Sequence, residues 1–208
     1  MATASQQTMA CRHCGAGTVV KVFSSVNAAE DPELSSSVRD GSLFVWQCPH
    51  CGAANLISAP FMYHDPGSSL MIWLSGGDEA EVDRARGLFS SEEALRGYTA
   101  RIVDSAGDLI EKVKIFDAGL DDVVMEIAKH VTRMEMGRDI KGLRFLSMDG
   151  ADGEIALAYP KDGDMQIIGI GFNVYEDCAA ILRRNPSLQE STKGLVRIDE
   201  AWVGRFFG

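Results

Sequence analysis

From Thr18 the chain reads TVVKVF, a run rich in β-branched residues, bounded by glycine before it and by SSVNA after it, which predicts a strand. A short helix follows. Asp31 is placed to cap it, Pro32 suits its first position, Glu33 favours the positive end of its dipole and Gly41 can end it. SLFVWQ and AANLISAPF then flank a tight turn, predicting a strand, knuckle, strand hairpin, and SLMIWLS at 69–75 predicts a further strand. The glycine-rich acidic break SGGDE marks a domain boundary near Gly77, with DEAEVD as a solvated linker.

Beyond that break the apolar period becomes helical. Ser90 and Glu93 have capping-box spacing, and Ile102, Val103, Ala106, Leu109, Ile110, Val113 and Phe116 recur at three- and four-residue steps. Gly119 interrupts the pattern. Asp121 and Asp122 open a second helix with the stripe Val124, Ile127, Ala128 and Val131, and Met134 close by, so a helical hairpin is expected. LRFLSM, EIALAY and MQIIGIGF read as strands separated by DGADG and PKDGD. A helix from Asn173, with Glu176 at capping-box spacing, ends near Asn185 and Pro186, and GLVRIDEAWVGRFF reads as a last strand.

The fold class expected is therefore α+β. Residues 1–10 are small and polar and read as a disordered arm. Residues 11–76, which carry paired Cys-x-x-Cys stretches at 11–14 and 48–51, form a zinc-ribbon-like β domain, 77–141 a helical segment, and 142–208 a small antiparallel sheet with one helix.

Composition narrows the functional classes. Apolar residues make up 46% and charged residues 24% of 208, and no stretch approaches the roughly 18 consecutive apolar residues of a membrane span. A net charge of -10 repels phosphate backbones, so neither a membrane nor a nucleic acid is the expected partner. MATASQQTMA has no basic leader and no apolar core, which predicts a cytoplasmic protein with reduced thiols.

Two stretches carry the chemistry: CRHCG at 11–15 and CPHCG at 48–52. Thiolates three residues apart on a tight turn can face one ion, and two such turns supply a tetrahedral set with Zn–S about 2.3 Å. Gly15 and Gly52 can adopt left-handed angles that turn amide N–H groups toward the sulfurs. The spacer between Cys14 and Cys48, 33 residues long, is longer than in compact fingers but holds a strand, a helix and a strand. One zinc per chain on Cys11, Cys14, Cys48 and Cys51 is expected, with iron as the alternative. Four thiolates leave no place for water, so the site is structural. His13 and His50 read as exposed knuckle residues, and Cys178 as a small buried hydrophobe on a helix stripe with Val174, Ile181 and Leu182.

These motifs, with SSVNAAEDPEL in the spacer, FMYHD after it and DLIEKVKIFDAGLDD later, resemble the CpXC proteins, a prokaryotic family, over about residues 8–132. The resemblance implies a bacterial source, makes the four cysteines the metal-binding set and Pro49 the namesake proline. Arg12 stands where the family usually has a second proline. The resemblance implies no particular activity.

Outside the cysteines, Tyr63, His64 and Asp65 are the one compact polar trio, with an imidazole beside a carboxylate as acid–base work would need. Adjacent residues of an extended segment point in opposite directions. Asp65 with Pro66 reads as a turn, and His64 as a group bonding backbone near the knuckle. His130 reads as a half-exposed helix residue. GIGF at 169–172 lacks the third glycine of a dinucleotide fingerprint. No nucleophile with its base is recognisable, so the leading expectation is a binding or scaffolding module that meets protein partners or a second copy of itself. A rubredoxin-like iron protein and an enzyme using His64 are the alternatives.

Overall fold

The computed structural model describes residues 1–89, 95–137, 140–150 and 153–208. The expected capping box of Ser90 and Glu93 lies outside the described residues. The chain separates into two units, Met1–Ile110 and Glu111–Gly208, and its class is α+β.

In the first unit, β1 (Thr3–Ala10) runs antiparallel to β2 (Gly17–Asn27), with a register shift at its Thr3 end. The segment expected to be a disordered arm is thus a strand. Its polar side chains are exposed on both faces, so no alternation announces it, and the ladder to β2 is what orders it. Helix α1 (Pro32–Asp40) begins with Pro32 and ends at Gly41, whose φ of 82° is open to glycine. Asp31 occupies the cap position, but its side chain makes no capping hydrogen bond. SLFVWQ is strand only in its second half: a 3-10 turn over Ser42–Phe44 precedes β3 (Val45–Gln47), which pairs antiparallel with β4 (Ala54–Leu56).

β5 (Phe61–Asp65) lies parallel to the end of β2 and antiparallel to β6 (Leu70–Leu74). Past Gly77 the chain does not stay extended. Asp78 accepts the Ala80 amide at 2.9 Å and starts α2 (Glu79–Leu88), so DEAEVD is helix rather than linker. That helix carries the chain over to β7 (Thr99–Val103), parallel to β6, as a parallel pair requires. Within this unit the strand order is β1-β2-β5-β6-β7, and Gly77 lies inside the unit. Ile102 and Val103, expected on a helix, belong to β7; α3 (Ala106–Asp117) starts after them, and the division between the units falls within it. Phe61, Tyr63, Ile72, Leu74 and Val22 are buried side chains of the sheet, and Phe44 meets Phe61 edge to face at 5.2 Å.

The second unit contains α4 (Asp122–Met136), capped by Asp121, which accepts the Val123 and Val124 amides. β8 (Arg144–Met148), β9 (Glu154–Lys161) and β10 (Asp164–Gly171) form an antiparallel sheet in the order β10-β9-β8. α5 (Phe172–Arg184) is capped by Gly171, and Asn173 makes no capping bond, contrary to its spacing with Glu176. α6 (Pro186–Glu190) and the short β11 (Leu195–Val196) follow. The expected last strand is mostly helix: Asp199 accepts the Trp202 amide at 2.7 Å and starts α7 (Glu200–Phe207). The stripe Val124, Ile127 and Ala128 packs against Cys178, Leu188, Trp202 and Val203. His130 is half-buried, with its ring 5.9 Å from that of Phe207.

This unit also buries charge. Lys112 meets Asp122 at 2.9 Å, Lys129 meets Glu111 and Glu126 at 2.8 Å each, and the Phe145 amide donates to Glu111 at 2.7 Å. All five side chains are buried, so each ion depends on its partners for the solvation it has lost. No helix among the described residues is long and apolar enough to cross a membrane.

Candidate metal centre

The two Cys-x-x-Cys segments occupy equivalent places. Each is the turn of an antiparallel hairpin, Cys11–Cys14 between β1 and β2, and Cys48–Cys51 between β3 and β4. The same backbone bonds close both turns: Cys11 N–H to Ala16 and Gly15 N–H to Cys11, each 2.9 Å, then Cys48 N–H to Ala53 at 2.9 Å and Gly52 N–H to Cys48 at 2.8 Å. Gly15 and Gly52 have φ of 73° and 72°, the left-handed region in which a Cβ would strain the backbone.

This geometry brings the four sulfurs together, all within 4.8 Å of one another. Cys11 Sγ lies 3.7 Å from Cys51 Sγ, and Cys14 Sγ lies 3.6 Å from Cys48 Sγ. Ligands about 2.3 Å from a tetrahedral zinc stand about 3.8 Å apart, so the sulfur set has the size of a metal-thiolate site. The inner cysteines, Cys11 and Cys48, are buried against Trp46, with Met9, Val20, Ala53 and Ile57 around them, while Cys14 and Cys51 face solvent. His13 and His50 are exposed and stand outside the sulfur cluster.

Amide donors surround the sulfurs. The His13 amide points at Cys11 Sγ at 3.4 Å, and Asn55 Nδ2 donates to the same sulfur at 3.5 Å. The Cys14 amide above all, then those of His13 and the Asn55 side chain, bring the Cys11 thiol down to about 6 against the opposing effect of its burial. Cys51 goes the other way. The Ala53 amide would lower it, but partial desolvation of its sulfur and the neighbouring thiols of Cys14, Cys11 and Cys48 raise it to about 12. Four thiolates this close repel one another, and a divalent cation is what lets all of them ionise together.

Asn55 is a residue that the motif alone does not reveal. It is buried on β4, and beside its contact with Cys11 it accepts the Arg12 amide on Oδ1 at 2.8 Å and donates to Ala53 O at 2.9 Å. It thereby joins the two knuckles without touching the metal position. Its place four residues after Cys51, at the first inward-facing position of the returning strand, was the available signal.

The polar trio does not converge. Tyr63 is fully buried and its hydroxyl bonds Ser35 Oγ at 2.9 Å. His64 turns to the opposite face, where Nε2 lies 3.0 Å from the Tyr98 hydroxyl rather than on knuckle backbone. Asp65 accepts the Gly67 and Ser68 amides and the Ser68 hydroxyl, the turn expected of it. Cys178 is buried in the second unit, as expected of a small hydrophobe, and its thiol is pushed up to about 11 by that burial and by the charge of Asp177.

Residues 9–129 match a family model described as CpXC protein. No curated protein and no solved structure matches the chain.

Proposed function

The chain belongs to the CpXC family, and from that premise we propose that its four cysteines hold one zinc ion whose role is structural, in a protein that works as a binding or scaffolding module. The observation that carries this reading is the sulfur geometry, two matched hairpin turns with their thiols within 4.8 Å. Such a set holds a divalent ion as a closed tetrahedral thiolate site, and zinc with no free position supplies folding energy rather than chemistry. The separate destinations of Tyr63, His64 and Asp65 support a scaffold over acid–base catalysis by that trio. In this reading the partners are proteins or a second copy of the chain, the compartment is the cytoplasm, and the net charge of -10 disfavours nucleic acid.

Trp46 packed on Cys11 and Cys48 favours one rival, since an aromatic wall also suits an iron-thiolate centre used for electron transfer. Elemental analysis of the full chain as purified separates the two. About one zinc per chain and no colour is the expected result. Iron with a red oxidised form would establish the rival, and a metal-free protein with four fast-reacting thiols would overturn both.

A further inference from the structure

β10 is, among the described residues, an edge strand, and from Met165 onward its own sequence carries none of the usual protecting residues. Among the described residues it pairs with β9 alone, through an unbroken register from Asp164–Lys161 to Gly171–Glu154. Natural sheets blunt such edges with charges, proline, bulges or a covering element. From Met165 to Gly171 the sequence MQIIGIG has no charge and no proline, and the register shift of this sheet lies between β8 and β9 instead. Ile168 and Ile170 turn inward to the core, whereas Met165 and Ile167 are 60% and 63% exposed on the other face. Glu154 and Asn173 lie over Gly169 and Gly171, so the bare carbon is concentrated at Met165 and Ile167.

We propose that β10 pairs antiparallel with β10 of a second copy of this chain, joining two three-stranded sheets about a two-fold axis near Ile167. A two-fold contact requires a self-complementary strip. Antiparallel pairing centred on Ile167 sets Ile167 against itself, Gln166 against Ile168 and Met165 against Gly169, so no charged side chain within Met165–Gly169 meets another. For a chain of net charge -10, two copies approach at least electrostatic cost along an uncharged strip. The backbone groups left open on β10 find partners in the same step, and both exposed apolar residues are covered. One strand and its flank make a small interface, so the association belongs to the weak class and is sought at high concentration.

This deepens the scaffold reading by naming its partner, and it stands on residues remote in sequence from the cysteines. The test is sedimentation equilibrium on the full chain at roughly 100 µM, with Ile167→Lys and Met165→Lys compared by circular dichroism and metal content. The expected result is a mass approaching twice the 22.5 kDa chain, with each variant folded, equally metal-loaded and weakened at least tenfold in self-association. A monomeric wild type at that concentration overturns the proposal, as does a dimer that neither lysine weakens. Metal content reads the zinc hypothesis separately, since a metal-loaded monomer refutes the pairing and leaves the metal centre standing.

Discussion

Asn55 Nδ2 lies 3.5 Å from Cys11 Sγ while its Oδ1 holds the Arg12 amide at 2.8 Å, so one side chain on the second hairpin fixes both a sulfur and a backbone group of the first. Groups that orient metal ligands and spread their charge commonly contribute a factor of about 10 to 100 in metal affinity. Asn55→Ala is expected to weaken metal binding by about that factor while leaving the four ligands in place. Competition with a chromophoric chelator measures it. An unchanged affinity would reduce Asn55 to a packing residue.

Cys48→Ser removes one thiolate of a closed set. Structural zinc contributes roughly 10 to 16 kcal/mol of binding free energy in small finger peptides, comparable to the stability of a whole domain, so the loss should be severe. The expected outcome is loss of metal and fast amide exchange through β1 to β4, with α5 and α7 still protected. Hydrogen exchange read by mass spectrometry maps this. A variant that retains one metal with native protection would show that three sulfurs suffice.

Thiol reactivity should fall into two classes. With metal bound no cysteine should react quickly at pH 8. After chelation Cys11, Cys14, Cys48 and Cys51 should react, and Cys178 only on unfolding, because burial holds its thiol up to about 11 and blocks access. Counting thiols before and after chelation, then in denaturant, tests both statements.

Lys129→Met leaves the carboxylates of Glu111 and Glu126 buried without their shared ammonium, a loss expected to cost about 3 to 5 kcal/mol. Burial by itself would lower the Lys129 pKa, but the charges of Glu126 and Glu111 outweigh it and hold it above its ordinary value. A lysine raised on folding stabilises fully below its unfolded pKa and loses that contribution as pH climbs past the folded one. The contribution should therefore be flat near neutrality and fall only above about pH 10.5. Urea melts of the variant and of the wild type across that range provide the check. A change below 1 kcal/mol would mean that water already solvates these ions.

His64→Ala removes the 3.0 Å contact to Tyr98 and should cost roughly 1 kcal/mol, and Tyr98→Phe combined with it should add little. Metal content should stay at one ion. A folded, metal-loaded His64→Ala protein that lost a hundredfold of any activity found for the wild type would make His64 a catalytic group after all.

What the sequence revealed and what it hid divide along one physical line. The knuckles were legible because cysteines three residues apart followed by glycine have few other uses, and α4 was legible because Asp121, a long apolar stripe and Gly119 before it agree. Ile102 and Val103 misled because a short strand directly before a helix can share its three- and four-residue spacing by accident. α7 could have been found from Asp199 followed by Glu200, with Trp202 and Val203 one turn on. β1 offered no such cue, since a strand exposed on both faces has no alternation to show. The buried partners Glu111, Lys112, Asp122, Glu126 and Lys129 look like ordinary surface charge until the elements that enclose them are in place.

The matched turns at Cys11–Cys14 and Cys48–Cys51 have a consequence for the unfolded chain. One ion shared between them would close a loop of 33 residues, as a disulfide would. By the chain-entropy relation a covalent closure of that length removes roughly 4 kcal/mol of freedom from the denatured ensemble. Unlike a disulfide, such a clasp would form in a reducing environment and open again when metal is withdrawn, so metal supply rather than redox state would set the tether between the two hairpins.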